Sequence, residues 1–244
     1  MVCSSGVSFN PVLHEKLLTF EFYGLYEAVL VMFDRETETV WTHLSGEGLT
    51  GKHAGKRLEF IPSLNTTWGE WKKLHPATTT LSFDTPQRQY YQRQVVSGSI
   101  RNLSPEFTNT LSQPVTRLPK NTLLVATLIG GKARGYLYDD LRAGAVIEET
   151  YKEIPVSVWN LPNNQGAAAF DRRLDGATHA FALVEVDGEW RFRDAATGST
   201  WTIQGECIAG KLRGKQLTRL VSSQSEWYGW AAYFPSTTIY GQDE

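Results

Sequence analysis

The chain contains two versions of one sequence pattern, and this repetition constrains its fold more than any other feature. The first version runs from Asp34 to Thr79 and the second from Asp194 to Thr238. At an offset of 159 residues, 13 of the 35 positions from Gly46 to Thr80 are identical, where unrelated sequences of average composition would share roughly two. We interpret the pattern as an internal duplication, which predicts two halves of related structure.

The residues that the two versions share are those that shape a backbone and fill a core. Glycines, a proline and three tryptophan pairs recur, whereas the histidines do not. Large aromatic side chains are usually buried. We therefore expect the duplicated tryptophans to lie in the core and to pack the halves together. The three pairs are Trp41 and Trp201, Trp68 and Trp227, and Trp71 and Trp230.

Short apolar and aromatic runs between polar or glycine-containing pieces predict a mainly β protein, a β-rich α+β fold. Each half is expected to be a small twisted sheet or barrel-like unit with one short helix. The first helix is predicted to begin after Thr67, because Thr67 and Glu70 have capping-box spacing, and to end before Pro76. A further strand is predicted over residues 78–83, and a hairpin with a Gly-Gly turn over residues 123–141.

The repeat predicts a division of the chain into three parts. The first half covers residues 1–86, a connector rich in Gln, Arg, Ser, Asn and Pro covers residues 87–122, and the second half covers residues 123–240. The sequence is also compatible with the two halves forming one compact unit. In the second half, residues 123–159 precede the region of similarity, whereas only two residues precede it in the first half. We therefore expect the natural chain, or its ancestor, to extend further in the N-terminal direction.

Composition and charge exclude several partners. The chain has 244 residues and a formal net charge of −2, with acids and bases interspersed, so no basic patch predicts a nucleic-acid partner. No segment approaches the roughly 20 apolar residues of a membrane helix, and the first residues lack the pattern of a signal peptide, so no membrane partner is predicted. Two cysteines, Cys3 and Cys207, are too few for a disulfide framework. Localisation, cofactor and any small-molecule or protein partner are left open.

The histidines differ between the two versions of the pattern, and this difference points to a candidate site in the first half. One interpretation is that the first half carries a functional face that the second half lacks. The other is that these positions are partly exposed and have drifted. Their spacing matches no metal-ligand pattern, so a metal is not indicated. The pairs are His43 and Ile203, His53 and Leu212, and His75 and Phe234.

Cys3 is also exclusive to the first half, since Asn163 or Asn164 stands in its place in the second. A thiol among small residues such as Ser4 and Ser5 can be activated by backbone amides or by His43. The alternative is a small buried hydrophobic residue. The candidate site therefore consists of Cys3 as thiolate and His43 as base or co-ligand. Asp34 and Arg35 are predicted as supporting groups behind them.

Five motifs in order resemble the bacterial and archaeal domain-of-unknown-function family 3179 over nearly the whole chain. They read LVMFDRETETVWTHLSGEGLTG, NTTWGEWKKLHPATT, RLPKNTLLVATLIGGKARGYLYDDL, AAAFDRRLDG and EWYGWAAYFPSTTIYG. Members of that family carry a similar hairpin ahead of the first motif, leading into a Cys-x-x-Cys-like segment, where some are similar to selenoproteins. The resemblance implies thiol or selenol chemistry and brings no established activity. By the same resemblance, Cys3 matches the second cysteine, and the first would lie just upstream of Met1.

Two functions of different classes follow. The first is a thiol-based redox or metal-handling activity centred on Cys3 and His43. The second is a non-catalytic ligand-binding or assembly module that uses the groove between the two halves. Whether the protein is an enzyme is left open by the sequence, because a lone cysteine cannot complete a dithiol cycle.

Overall fold

The computed structural model describes residues 5–82, 84–88, 109–141, 145–162 and 166–243. Cys3, the predicted thiolate, lies outside these residues. The architecture is mainly β, with several small sheets and two short helices among the described residues. This confirms the fold class predicted from the alternation of apolar runs and turns.

The described part of the first half contains nine strands followed by one helix. They are β1 (Ser8–Phe9), β2 (Val12–Leu13), β3 (Lys16–Leu17), β4 (Phe20–Tyr26), β5 (Val29–Asp34), β6 (Val40–Thr42), β7 (Gly48–Thr50), β8 (Phe60–Ile61), β9 (Asn65–Thr66) and α1 (Trp68–Leu74).

The described part of the second half contains fourteen strands and one helix. They are β10 (Leu123–Ile129), β11 (Lys132–Leu137), β12 (Val146–Tyr151), β13 (Ile154–Asn160), β14 (Gly166–Asp171), β15 (Arg173–Leu174), β16 (Ala177–Thr178), β17 (Phe181–Val186), β18 (Glu189–Asp194), β19 (Thr200–Trp201), β20 (Cys207–Ala209), β21 (Thr218–Arg219), β22 (Val221–Glu226), α2 (Trp227–Tyr233) and β23 (Thr238–Ile239).

Two four-stranded antiparallel sheets with the same connectivity lie one in each half. Strands β4 to β7 form the first in chain order, and β17 to β20 form the second. A third sheet has the order β22-β10-β11-β23 and contains the predicted Gly-Gly hairpin, β10–β11. A fourth has the order β12-β13-β14-β21, and β9 of the first half pairs with its strand β14. The two halves therefore share a sheet.

Local hydrogen bonding recurs at the offset of 159 residues. The indole nitrogen of Trp71 donates to Thr78 Oγ1 at 2.9 Å, and that of Trp230 donates to Thr237 Oγ1 at 2.9 Å. Two isolated bridges recur in the same way, Glu47 with Arg57 and Glu206 with Gln216. These contacts are what a duplication predicts, although the duplication itself stays an inference from the sequence.

Two glycines of the repeat are required by both conformation and space. Gly46 and Gly205 have φ values of 64° and 79°, in the left-handed region that disfavours side chains. A Cβ on either would meet an aromatic ring, that of Phe9 for Gly46 and that of Phe170 for Gly205. Glycine at these two positions therefore lets the aromatic ring of a neighbouring strand pack directly against the turn.

The halves dock through the tip of the β4–β5 hairpin and through the two helices. Ala28 and Val29, at that tip, are fully buried in one cluster with Leu44 and with Tyr228 of α2. Reciprocally, Leu74 of α1 packs against the aromatic core of the second half. Each half thus contributes side chains to the other.

The prediction that all six duplicated tryptophans are core residues is correct for four of them and wrong for Trp68 and Trp71. Trp41 and Trp201 are fully buried, and Trp227 and Trp230 are 2% exposed. Trp68 is 51% exposed, and Trp71 is only half-buried. The physical reason is that α1 has no sheet over its outer face among the described residues.

The first helix begins where the sequence predicts, and the strand predicted after it does not form. Thr67 is the N-cap, and its hydroxyl accepts from the backbone nitrogen of Glu70 at 3.3 Å. Residues 78–82 form no strand, and Phe83 lies outside the described residues. In the second half, Ser223 to Glu226 belong to β22, and α2 starts only at Trp227 without a side-chain cap.

No helix among the described residues has the length and apolarity needed to cross a membrane.

Candidate functional site

Ser5, two residues after Cys3 in the chain, contacts His43, which is one of the predicted site residues. Its Oγ lies 2.9 Å from Nε2 of His43, across 38 residues of sequence. His43 directly follows β6, and its backbone nitrogen donates to the carbonyl of Leu30 in β5 at 3.2 Å. The imidazole is thus carried by a sheet and faces the N-terminal segment.

Burial controls the charge of His43. The ring is partly enclosed, and this desolvation lowers the pKa of His43 below its usual value of 6.5. The imidazole is therefore mainly neutral at pH 7. A neutral imidazole has one nitrogen free to accept a proton or to bind a metal ion.

The two residues that follow Ser5 are held in place by other parts of the first half. The side-chain amide of Asn65 donates to the carbonyl of Gly6 at 3.4 Å. A Cβ on Gly6 would lie 2.6 Å from the side-chain oxygen of Asn65, so a larger residue there would displace the Asn65 amide. Val7 then packs into the cluster that contains Leu44. The sequence pattern did not indicate Asn65, because Gln224 replaces it in the second half.

Asp34, a predicted supporting group, is fully buried at the end of β5. Its carboxylate accepts hydrogen bonds from the backbone and hydroxyl of Thr37, from the backbone of Thr39, and from the indole of Trp41. Burial raises the pKa of Asp34, but the hydrogen bonds from Trp41, Thr37 and Thr39 outweigh it, so the pKa falls below its ordinary value. Its described contacts organise the turn.

Arg35, the other predicted supporting group, lies on the surface and pairs with Glu21. Asp34 and Leu30 are four residues apart on β5, which places them about 13 Å from each other along an extended strand. Leu30 is the residue that binds the backbone of His43. The described contacts therefore join Ser5 to His43 and do not join Asp34 or Arg35 to it.

His53 and His75, the other two histidines that differ between the versions of the pattern, make contacts that do not include His43. The ring of His53 lies 6.2 Å from that of Trp41, and the ring of His75 lies 4.1 Å from that of Trp71. Within residues 5–82 and the other described ranges, no group of three His, Cys, Asp or Glu side chains could hold a metal ion.

Cys207, the second cysteine, is a core residue. It is 1% exposed, and its thiol donates to the carbonyl of Ala209 at 3.3 Å. Burial raises the pKa of the Cys207 thiol. A protonated, inaccessible thiol is chemically inert.

One gap between the described parts of the two halves is small. A gap bounded by Val7, Leu44 and Ser63 of the first half and by Val221 and Trp230 of the second has a volume of about 10 Å³. That is close to the room needed for one water molecule. Ligand pockets for small molecules are larger by more than an order of magnitude.

Comparison with known proteins places the chain in one family. No curated protein and no solved structure matches it. A family model matches residues 1–237, and its description is "Protein of unknown function (DUF3179)". That match covers both halves, the Ser5–His43 contact and the hairpin of the second half. The chain belongs to the DUF3179 family.

Proposed function

We propose that the N-terminal segment and His43 form a thiol-exchange site, with Cys3 as the nucleophile and His43 as its base. The contact between Ser5 and His43, at 2.9 Å, carries this proposal. Cys3 precedes Ser5 by two residues, which span at most about 7 Å of chain, and this short separation in sequence supports the pairing of Cys3 with His43. Asp34 and Arg35 are left out because their described contacts lie elsewhere.

The chemistry follows from a neutral imidazole beside a thiol. Transfer of the Cys3 proton to His43 leaves a thiolate next to an imidazolium, the pair that activates cysteine nucleophiles. The thiolate attacks one sulfur of a disulfide on a partner molecule and forms a mixed disulfide. The other sulfur leaves as a thiolate, which takes the proton back from His43. One disulfide is exchanged for another, so a single cysteine suffices.

Metal handling, the other thiol function, has less support. The described residues hold no cluster of three ligands, so a site would need at least one donor from outside them, such as Cys3. The inter-half gap has room for about one water, and no observation favours a ligand groove there. Thiol exchange is therefore the function that we put forward.

The test is the alkylation rate of Cys3 as a function of pH, followed by mass spectrometry in the native chain. Cys207 serves as the internal reference, because it is buried and its pKa is raised. We expect His43→Asn to raise the apparent pKa of Cys3 by about one unit or more, so that the rate at pH 7 falls about tenfold. His53→Asn is the matched control and should leave the profile unchanged. Identical profiles for the native chain and His43→Asn would overturn the proposal.

A further inference from the structure

The two equivalent four-stranded sheets differ in the chemistry of one face. In the first half, Val31 alternates along β5 with Met32, which packs against the core cluster of that half, so Val31 points to the other face of the sheet. In the second half, Arg191 stands where Val31 stands, and it pairs with Glu189. A sheet face turned away from the core is usually polar. The second half follows this rule and the first half does not.

An open groove of about 480 Å³ lies on this apolar face of the first half. Its size falls within the range of roughly 300–1,000 Å³ that is typical of small-molecule pockets. Val31 is 3% exposed, whereas Tyr23 and Tyr26 are 62% and 45% exposed, so the valine lies at the bottom and the tyrosines stand at the rim. We call this site the β4–β7 groove. The residues that define it are Tyr23, Gly24, Tyr26, Val31, Val40 and Leu49.

Gly24 keeps the groove open, although neither backbone conformation nor space requires a glycine there. Its φ lies outside the left-handed region, and a Cβ built on it would meet no atom within 4 Å. In the second half, Val184 holds the equivalent place in the sheet. Glycine inside a strand weakens the strand and often marks a place where a ligand approaches the backbone closely. The missing side chain therefore points to an occupant of the space above Gly24.

A β-bulge supplies the aromatic rim of the groove. The pairing of β4 with β5 shifts between Phe22 and Gly24, which leaves Tyr23 without a residue opposite it. Bulges re-aim side chains and are over-represented next to active sites. The ring of Tyr23 stacks on that of Phe33, with 5.8 Å between centroids and 19° between planes. The equivalent pairing of β17 with β18 has no such shift, so the second half lacks this rim.

The second rim residue, Tyr26, is held by the second half. The hydroxyl of Tyr233 donates to the carbonyl of Tyr26 at 2.8 Å, and the two rings meet edge to face at 6.4 Å. The next residue, Glu27, accepts a hydrogen bond from the backbone nitrogen of Ser112 at 3.0 Å. These contacts fix the end of the β4–β5 hairpin before any ligand arrives, and a preorganised site binds at a lower entropic cost.

The lining of the groove selects the chemistry of its occupant. None of the described residues that line it is charged, and enclosing an ion without a partner is far more costly than enclosing a neutral group. A flat ring gains by stacking on another aromatic ring, and tyrosine hydroxyls can exchange hydrogen bonds with polar substituents. We propose that the β4–β7 groove binds an uncharged aromatic small molecule, with one ring over Gly24 and against Tyr23.

A protein partner fits the groove less well than a small molecule does. Its lining comes from β4, β5, β6 and β7 in turn, so the groove crosses the sheet and does not follow an edge to which a strand could be added. Eight described residues line it, whereas a stable protein interface uses about 20–30 residues on each side. Ser5 and His43 are not among the lining residues, so this site is independent of the thiol-exchange proposal.

The test measures binding of phenylnaphthylamine, an uncharged aromatic probe, to the full chain by the rise in probe fluorescence. Anilinonaphthalene sulfonate carries the same rings and one negative charge, so comparing the two probes isolates the effect of charge. Gly24→Val introduces the side chain found at Val184 and fills the groove, and Tyr23→Ala removes the rim ring. Phe22→Ala is the matched control, because Phe22 is a neighbouring aromatic residue that is 68% exposed and does not line the groove.

We expect phenylnaphthylamine to bind one molecule per chain, with a Kd about tenfold or more below that of the sulfonate. Gly24→Val and Tyr23→Ala should each raise this Kd about tenfold, and Phe22→Ala should leave it unchanged. Tyr23 is exposed, so Tyr23→Ala tests the site even if Gly24→Val impairs folding. Equal affinity of Tyr23→Ala and the native chain would overturn the proposal, as would equal affinity for the two probes. Dimerisation of the native chain that Tyr23→Ala abolishes would also overturn it, because a second copy would then occupy the groove.

Discussion

The indole nitrogen of Trp41 donates a 2.8 Å hydrogen bond to the buried carboxylate of Asp34. Trp201 follows Asp194 at the same spacing of seven residues, yet its indole nitrogen is buried without a hydrogen-bond partner in the described part of the chain. His179 Nδ1 lies 3.3 Å from Asp194 instead, without hydrogen-bond geometry. Identical spacing therefore gives two different polar cores.

The tryptophan pair gives a matched stability experiment. Trp41→Phe removes a buried hydrogen bond to a charged group, worth about 1.5–3 kcal/mol, in addition to lost packing. Trp201→Phe loses similar packing but no described hydrogen bond. We expect Trp41→Phe to reduce the free energy of unfolding in urea by about 1.5–3 kcal/mol more than Trp201→Phe. Equal losses would show that the hydrogen bond from Trp41 to Asp34 makes no net contribution to the free energy of unfolding.

His179 is predicted to be the reason that Asp194 and Trp201 do not bond. Leu18 occupies the equivalent place in the first half, two residues before Phe20, as His179 is two before Phe181. In a His179→Leu background, Trp201→Phe should lower the free energy of unfolding by about 1 kcal/mol more than it does in the native chain. A double-mutant cycle measures this coupling, and a coupling of zero would contradict it.

Asp34 is expected to contribute to acid sensitivity. Its folded pKa lies below its ordinary value of 3.8, so it stabilises the folded state fully above that value. This contribution is lost as the pH falls through the folded pKa. Asp34→Asn lacks the titration, so its unfolding free energy should depend less steeply on pH between about pH 5 and pH 2. Parallel curves for the two proteins would contradict the assignment.

His43 is expected to titrate below 6.5 in the folded chain, because burial disfavours its cation. The unfolded chain then binds the proton first, so His43 lowers stability as the pH falls from about 6.5 toward the folded pKa. An NMR titration of the imidazole resonances measures the value directly. A midpoint at or above 6.5 would show that burial is not the dominant influence on the pKa of His43.

Glu15 occupies a strained turn position that can be improved. Its φ is 64°, whereas Gly176 holds the equivalent place in the second half with φ 80°. A left-handed backbone costs a non-glycine residue about 1–2 kcal/mol, and the added chain entropy of glycine offsets part of the gain. We expect Glu15→Gly to raise Tm by about 1–3 °C and Gly176→Glu to lower it. A lower Tm for Glu15→Gly would contradict this account.

The features that could be predicted from sequence are those governed by neighbours in the chain. The cap at Thr67 and the turn at Gly130–Gly131 each depend on a few consecutive residues, and both form as predicted. The contact between Ser5 and His43 spans 38 residues, so the proximity of the N-terminal segment to His43 was a hypothesis until the fold was known. Asn65, which lies 59 residues from Gly6 in the chain and bonds to it, had no sequence signal at all.

The sequence by itself determined that the chain is mainly β, where its tight turns fall and where its first helix begins, because these depend on local backbone preferences and apolar alternation. Only the tertiary structure decided which equivalent residues differ in their burial and in their hydrogen-bond partners. Trp68 and Trp227 have the same local sequence role, yet one is exposed and the other buried, because burial depends on whether another element covers the helix. The same holds for Asp34 and Asp194, whose partners come from packing rather than from spacing.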